Sequence, residues 1–202
     1  MQSSTSGAAA LAAEPALTRS ELEQAHLYLE QTHSGMVGAL KGLSDAQWKF
    51  KPAPDRWSIA EIVEHTVFVQ ERVLGPLREQ LATAPEAPAG RDNKVVDGIV
   101  INQFPNRLTK FKVPEFAQPT GRYTAAESLD RLTKNYARLA EYVESDPDLR
   151  KRALEAAPLK GISQGAYESM DGYQWILAAA AHTERHTKQI LEVMAEADFP
   201  GR

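Results

Sequence analysis

The stretch WILAAAAHTERHTKQILEVMAEA, residues 175–197, decides the fold because its apolar residues repeat with the period of an amphipathic α-helix. At about 100° per residue, Trp175 and Ile190 lie on the same face as His186. His182 lies one turn earlier on that face, and an i,i+4 pair has Cβ atoms about 6 Å apart. The stretch therefore predicts a helix whose buried face carries a candidate metal-binding pair.

The histidine pair alone leaves two interpretations open. A histidine on a core face is usually hydrogen-bonded inside the protein, and two at this spacing also arise without a metal. The run HTERH differs from the HExxH motif of zinc proteases, because Glu184 lies about 200° around the helix from the first histidine. Glu184 is therefore not expected to be a general base, and it points away from the buried face together with Leu177.

A second stretch, WSIAEIVEH at residues 57–65, supplies a third histidine. Ser58 and Glu61 form a capping box, which marks the start of a helix. His65 lies two turns inside that helix, about 60° from the apolar stripe around Ile62. Three imidazoles from two helices would form an open site, with the fourth position left for water or substrate.

Together these residues resemble the DinB/YfiT-like superfamily. The resemblance runs from about Thr18 to the end of the chain, and it rests on the following residues: Trp48, Pro52, Trp57, Ser58, Glu61, His65, His182, His186 and Gln189. It implies an all-α fold, a four-helix bundle with long crossover connections. It also implies a metal site with one histidine ligand from the second helix and two from the fourth. Carried onto this chain, the ligands are His65, His182 and His186.

The resemblance also implies a metal ion and the kind of reaction that it would support. A divalent metal is expected, with zinc or nickel first, although imidazole ligands suit copper and iron as well. Two reactions are compatible with the family: hydrolysis of a small-molecule substrate, and transfer or isomerisation that uses a low-molecular-weight thiol. The alternative is a non-catalytic metal- or ligand-binding bundle, such as a stress-related module. Members of the family often form dimers, so the resemblance favours a homodimer.

Two further residues are candidate helpers at this site. Tyr136 carries the polar tip on the inner face of the third helix, where it could contact a metal-bound water or bond across the core. His33 lies about ten residues before the first helix ends, and His65 seven residues after the next begins. If those helices are antiparallel neighbours, His33 is a candidate fourth ligand or hydrogen-bond partner. Its alternative role is structural, at the rim of the core.

Four capping boxes predict four helices: Thr18 with Glu21, Ser58 with Glu61, Thr124 with Glu127, and Asp171 with Gln174. The second is expected to run to about Leu81, with Gly75 and Pro76 weakening its end. Residues 82–123 contain five prolines and no sustained helical period, and residues 146–170 are also irregular. A connection of about 40 residues is far longer than usual between bundle helices. We expect it to cross the bundle and cover one end of the pocket.

Composition limits the remaining classes of function. A chain of 202 residues predicts one domain at 18–202, preceded by a flexible tail at 1–17. The absence of cysteine excludes disulfides, thiolate nucleophiles and iron–sulfur clusters. A net charge of −4 gives no electrostatic basis for nucleic-acid binding, and no run of about 18 apolar residues predicts a membrane span. A cytoplasmic location is expected, with an exported form as the alternative because the N-terminus is rich in Ala and Ser.

Overall fold

The computed structural model describes residues 16–201, which fold into eight α-helices, a single 3₁₀ turn and two short strands. In chain order the helices are α1 (Arg19–Leu40), α2 (Asp45–Lys49), α3 (Ile59–Leu74), α4 (Leu77–Thr83), α5 (Asn93–Gln103), α6 (Ala125–Ser145), α7 (Ala157–Ile162) and α8 (Gly172–Met194). The 3₁₀ turn spans Glu115–Ala117, and the strands are β1 (Ala153–Glu155) and β2 (Ser169–Asp171). The four long helices begin at the four predicted capping boxes, in each of which both reciprocal hydrogen bonds are present.

The four long helices form the predicted four-helix bundle. Helix α1 packs against α6 and α8, and α3 packs against the same two helices. Helices α1 and α3 therefore lie diagonally across the bundle, although α3 is the next long helix in the chain. The connection through α2 spans this diagonal. As a consequence, the face of α3 that carries His65 meets α8 rather than α1.

The prediction that residues 82–123 lack a helix was wrong. Asp92 is the N-cap of helix α5, and its carboxylate accepts hydrogen bonds from two backbone amides of the first turn. Val96 and Val100, one turn apart, are buried, and α5 packs against the outer side of the bundle at α8. Gly98 lowers the intrinsic helix propensity by about 1 kcal/mol relative to alanine, so packing rather than propensity stabilises this helix.

Helix α8 is buried on more sides than its sequence predicts. Leu177, expected to point outward, is fully buried. The reason is that α8 packs against α1, α3 and α5, so a third helix covers the side opposite the bundle interior. Glu184 does point away from the three histidines, as expected, and accepts a hydrogen bond from Tyr28 on α1 at 2.8 Å.

One other connection and one predicted helix also differ from the expectations. Residues 146–170 contain α7, and β1 pairs with β2 as an antiparallel ribbon in which Ala153 lies opposite Asp171. The second predicted helix is divided at Gly75 and Pro76 into α3 and α4. Proline has no amide hydrogen to continue the helical ladder, which accounts for the division.

Two sequence-based expectations concern the N-terminal tail and membrane-spanning helices. The predicted tail, residues 1–17, lies outside the described residues except for its last two, of which Leu17 packs partly against the core. Within residues 16–201, no helix combines the length and hydropathy that a bilayer span requires.

A buried ion cluster ties α1, α5 and the start of α8 together. The guanidinium of Arg150 is only 4% exposed and contacts three carboxylates, those of Glu21 at 2.6 Å, Asp97 at 2.6 Å and Asp171 at 3.0 Å. Asp171 is also the N-cap of α8, and Arg91 donates to it at 3.2 Å. Removing one partner from such a cluster leaves buried charges without compensation.

We expect Arg150→Ala to lower the free energy of unfolding by about 3–5 kcal/mol, because three carboxylates lose their shared cation. Urea denaturation followed by circular dichroism measures this change. The matched control is Lys151→Ala, since Lys151 is half-exposed and pairs with an equally exposed Asp148; its effect should stay below about 0.5 kcal/mol. Equal losses in the two variants would contradict a structural role for the cluster.

Candidate metal centre

The three predicted ligands converge on one point. His65 on α3 faces His182 and His186 on α8, with ring centroids 5.2 Å and 4.9 Å away, respectively. The two α8 rings are 4.4 Å apart. One ring nitrogen from each histidine lies within 4.8 Å of the other two. The predicted meeting of residues far apart in the chain is therefore observed.

Two of the rings have an acceptor on their outer nitrogen. His65 Nδ1 lies 2.8 Å from the carbonyl oxygen of Ala117, and His186 Nδ1 lies 2.9 Å from Gln189 Oε1. Since these oxygens can only accept, both Nδ1 atoms donate. Each Nε2 therefore carries its lone pair toward the common point, as in metal-binding histidines held by an outer partner.

The spacing of the nitrogens fits a shared cation. His182 Nε2 and His186 Nε2 are 3.1 Å apart. Two ligands of one tetrahedral ion, with bonds of about 2.0–2.1 Å, lie about 3.3 Å apart. Because the lone pair of His186 Nε2 is directed at His182, this short distance is favourable only with a proton or a metal ion between the atoms. Three imidazole nitrogens are also a suitable donor set for zinc, nickel, copper or iron.

Desolvation lowers the pKa of all three imidazoles. For His182 the pKa falls to about 3, with the charges of His65 and Arg185 acting in the same direction. For His186 burial and the charge of His182 place the pKa well below its ordinary value. Burial also lowers the pKa of His65, although its hydrogen bond to Ala117 opposes the shift. The rings are therefore neutral at pH 7, which is the form that binds a metal.

A buried carboxylate next to His65 fixes the crossover segment, residues 104–122, to α3. The side chain of Glu64 accepts hydrogen bonds from the backbone amides of Thr120 and Gly121, both at 2.7 Å, and from the amide and side chain of Arg122. These contacts lie just after Ala117. Glu64 thus holds in place the carbonyl that orients His65.

A guanidinium next to His186 fixes the same segment to α8. Arg185 donates to the backbone carbonyls of Asn106 and Thr109, the latter at 2.6 Å, and lies 4.9 Å from the ring centre of Phe111. Each end of the crossover segment is therefore bound by the immediate sequence neighbour of a histidine. The position of the segment and the orientation of the rings are set together.

A third contact from the crossover segment reaches His186 through Gln189. Arg107 donates to Gln189 Oε1 at 3.3 Å and forms a salt bridge with Glu192 at 3.0 Å. The amide of Gln189 is thereby oriented with its oxygen toward His186. An outer hydrogen bond of this kind fixes the tautomer of a metal-binding histidine.

All three histidines line a cavity of about 960 Å³. As predicted, part of its lining comes from the crossover segment, and the rest includes residues of α3, α8 and the start of α7. Most of the wall is apolar and includes these aromatic residues: Trp57, Phe104, Phe111, Phe116 and Trp175. The cavity is large enough to admit a substrate to the open side of the three imidazoles.

The two predicted helpers do not line this cavity. His33 and Tyr136 stack on each other with ring centroids 4.5 Å apart, and they line a separate small cavity to which all four long helices contribute. Gln70 lies between the two cavities and lines both. The prediction for His33 assumed that the first two long helices are neighbours, whereas they lie diagonally opposite. Burial lowers the pKa of His33, which fits its alternative structural role.

Sequence reasoning missed Glu64, Arg185 and the carbonyl of Ala117. A signal existed for Glu64, which is a carboxylate in the mostly apolar run IVEHTVFV and is next to a candidate ligand. Buried charges of this kind require partners. Arg185 stands in the polar run HTERHTK, where a charged residue is ordinary. No residue type marks a backbone carbonyl, so the partner of His65 could be found only from the structure.

The fold and the site together define a helical-bundle protein with a three-histidine centre of metal-binding geometry. A profile of the DinB superfamily matches residues 28–190, and the chain belongs to this family. The chain is 24% identical over 155 residues to the uncharacterized protein YuaE of Bacillus subtilis (strain 168), covering 76% of this chain and 87% of YuaE.

Among solved structures, the chain is similar to YfiT from Bacillus subtilis, with a TM-score of 0.58 and 14% sequence identity. The match covers 90% of both chains. YfiT is described as a probable metal-dependent hydrolase with an unusual four-helix bundle topology. At this level of identity the similarity shows the fold alone.

We expect Gln189→Leu to weaken binding of a divalent metal ion, tested with zinc, by about 10–100-fold, because His186 loses the acceptor that fixes its tautomer. Competition with a chromophoric chelator measures the affinity. Gln189→Glu retains an acceptor oxygen for His186 and should bind zinc about as tightly as the unaltered protein. Unchanged affinity in the leucine variant would show that Gln189 does not position the ring.

The lowered pKa values predict how stability depends on pH. Above about pH 6.5 histidines are neutral in the unfolded chain as well as in the buried site. Below this pH the unfolded chain takes up protons that the folded rings exclude. The free energy of unfolding then falls by about 1.4 kcal/mol per pH unit for each ring that stays neutral.

Urea denaturation of the chelator-treated protein between about pH 7.5 and about pH 5 tests this dependence. The double variant His182→Gln/His186→Gln lacks the two rings with the largest shifts. It should lose clearly less stability over this range than the unaltered protein. The same pH dependence in both proteins would mean that the two rings are protonated normally in the folded state.

Proposed function

We propose that the protein is a metal-dependent hydrolase of small molecules whose divalent ion is held by His65, His182 and His186. The observation that carries the proposal is the convergence of three neutral imidazoles on one point in the wall of a large cavity. The description of YfiT, a protein of the same fold, as a probable metal-dependent hydrolase supports the same reaction class.

The histidines, their hydrogen-bond partners and the cavity walls would each have a separate role in hydrolysis. The three histidines hold the ion, and Ala117 and Gln189 keep two of the rings in the ligand tautomer. A divalent ion bound there supplies a Lewis acid that polarises a substrate carbonyl and activates water. The apolar walls exclude bulk water from the body of the substrate.

The proposed hydrolysis does not use a side-chain carboxylate as a base. The two that line the cavity are Asp55 and Glu192, and Glu192 is bound by Arg107. Among the described residues, neither carboxylate is hydrogen-bonded to a histidine of the site. Hydrolysis consumes one water, whose oxygen joins the electrophilic carbon and whose protons leave on the two products. Proton transfer would then run through water and substrate rather than through a carboxylate base.

A second candidate function is transfer of a group to or from a low-molecular-weight thiol. The volume of the cavity, about 960 Å³, supports it, because it lies near the upper end of the range of about 300–1,000 Å³ typical of single-ligand sites. A thiol and a second small substrate could therefore occupy the cavity side by side. In this case the ion would supply a binding position for the sulfur as a thiolate.

We expect the purified protein to bind about one equivalent of zinc or nickel per chain, and the triple variant His65→Ala/His182→Ala/His186→Ala to bind none. Elemental analysis after dialysis against each metal measures the content. The matched control is His26→Ala/His33→Ala, because both histidines lie on α1 away from the cavity and this variant should bind like the unaltered protein. Equal metal content in the triple variant and the unaltered protein would rule out the assigned ligands.

Turnover separates the two candidate reactions. The metal-loaded protein should hydrolyse p-nitrophenyl esters faster than the triple variant if it is a hydrolase. If it transfers thiols, it should instead accelerate the reaction of a thiol with an electrophilic aryl chloride. Metal binding without either activity would favour the non-catalytic alternative.

A further inference from the structure

The charge of the cavity wall is opposite to that of the whole chain. The chain has a formal net charge of −4. The wall contains two acidic residues, Asp55 and Glu192, and six basic residues: Arg56, Arg72, Arg107, Lys110, Lys112 and Arg185. A concave surface of one sign with low-dielectric walls concentrates ligands of the opposite sign.

Two of the basic residues are neutralised by partners. Arg107 forms its salt bridge with Glu192 at 3.0 Å, and Arg56 forms one with Glu196 at 2.5 Å. The other four basic residues make no ion pair within 4.0 Å in the described part of the chain: Arg72, Lys110, Lys112 and Arg185. Against these four cations, the cavity retains one carboxylate, that of Asp55.

Arg185 is the deepest of the four cations. The residue is 7% exposed, and its hydrogen-bond partners are backbone carbonyls rather than carboxylates. Carbonyl oxygens satisfy the N–H groups but do not cancel the charge. Since a buried charge without a counterion costs free energy, an anion in the adjoining cavity would stabilise this residue.

Lys110 and Lys112 belong to the crossover segment and flank Phe111, which places two flexible ammonium groups beside the aromatic wall. Both lysines are exposed, and Phe111 and Phe116 are exposed by 38% and 65%. The outer wall of the cavity therefore combines cations with aromatic rings that are partly exposed. This combination suits a ligand with one anionic group and one apolar body.

We propose that the cavity selects an organic anion, a molecule whose apolar body lies against the aromatic wall and whose carboxylate, sulfonate or phosphate group lies near Lys110, Lys112 and Arg185. As the class of substrate, this anion rests on the function proposed above. Its binding is a property of the cavity and does not require the metal.

A pair of fluorescent probes tests the selection. 8-Anilinonaphthalene-1-sulfonate carries an anionic group, and N-phenyl-1-naphthylamine has nearly the same apolar body without it. We expect the sulfonate to bind more tightly than the neutral probe. Lys110→Gln/Lys112→Gln should weaken sulfonate binding by about tenfold and leave the neutral probe unchanged, because only the charge interaction is lost. Fluorescence titration of chelator-treated protein measures both affinities.

Three controls make the result decisive. Lys134→Gln/Lys151→Gln removes two equally charged surface residues away from the cavity and should not affect either probe. Val69→Trp places a bulky side chain in the cavity and should weaken binding of both probes to a similar extent. The triple histidine variant should keep its preference for the sulfonate, which separates this proposal from the metal-dependent function. Equal affinity for the two probes, or equal effects of the two lysine pairs, would overturn the proposal.

Discussion

The hydrogen bond from His65 to the carbonyl of Ala117 is the interaction on which the site depends, because it joins a bundle helix to the connection that covers it. Glu64 holds this carbonyl in place. Its side chain accepts hydrogen bonds from the backbone amides of Thr120 and Gly121, which lie just beyond Ala117 in the chain. At the other end of the same connection, Arg185 binds backbone carbonyls. Helices α3 and α8 thus determine both where the rings are and where the cavity ends.

This arrangement explains how three neutral imidazoles can lie together in a buried, poorly hydrated site. Keeping them uncharged costs little at neutral pH, because free histidine is mostly neutral there. Two of the rings also have their outer nitrogens satisfied. The strongly charged groups nearby, Glu64 and Arg185, are turned toward the crossover backbone instead of toward the rings. Charge therefore stabilises the position of the segment while the centre itself stays neutral.

Much of the fold and of the centre could be predicted from local sequence signals. The capping boxes gave the starts of the long helices, and the spacing of His182 and His186 placed both on one face. Helix α5 could not be predicted, because Gly98 weakens its propensity and packing against α8 stabilises it. The diagonal placement of α1 and α3 could not be predicted either, because a 3.6-residue period identifies the buried face of a helix but not the helix against which that face packs. For the same reason, the sequence left open whether His33 joins the metal site or has a structural role.

The long separation of the three histidines along the chain has a consequence for biosynthesis. His65 precedes His182 by 117 residues, and α8 is the last helix in the described part of the chain. A nascent polypeptide therefore emerges from the ribosome with His65 well ahead of the other two, and the three imidazoles cannot meet until α8 has been synthesised. Premature termination before α8 would yield a product that lacks the centre entirely.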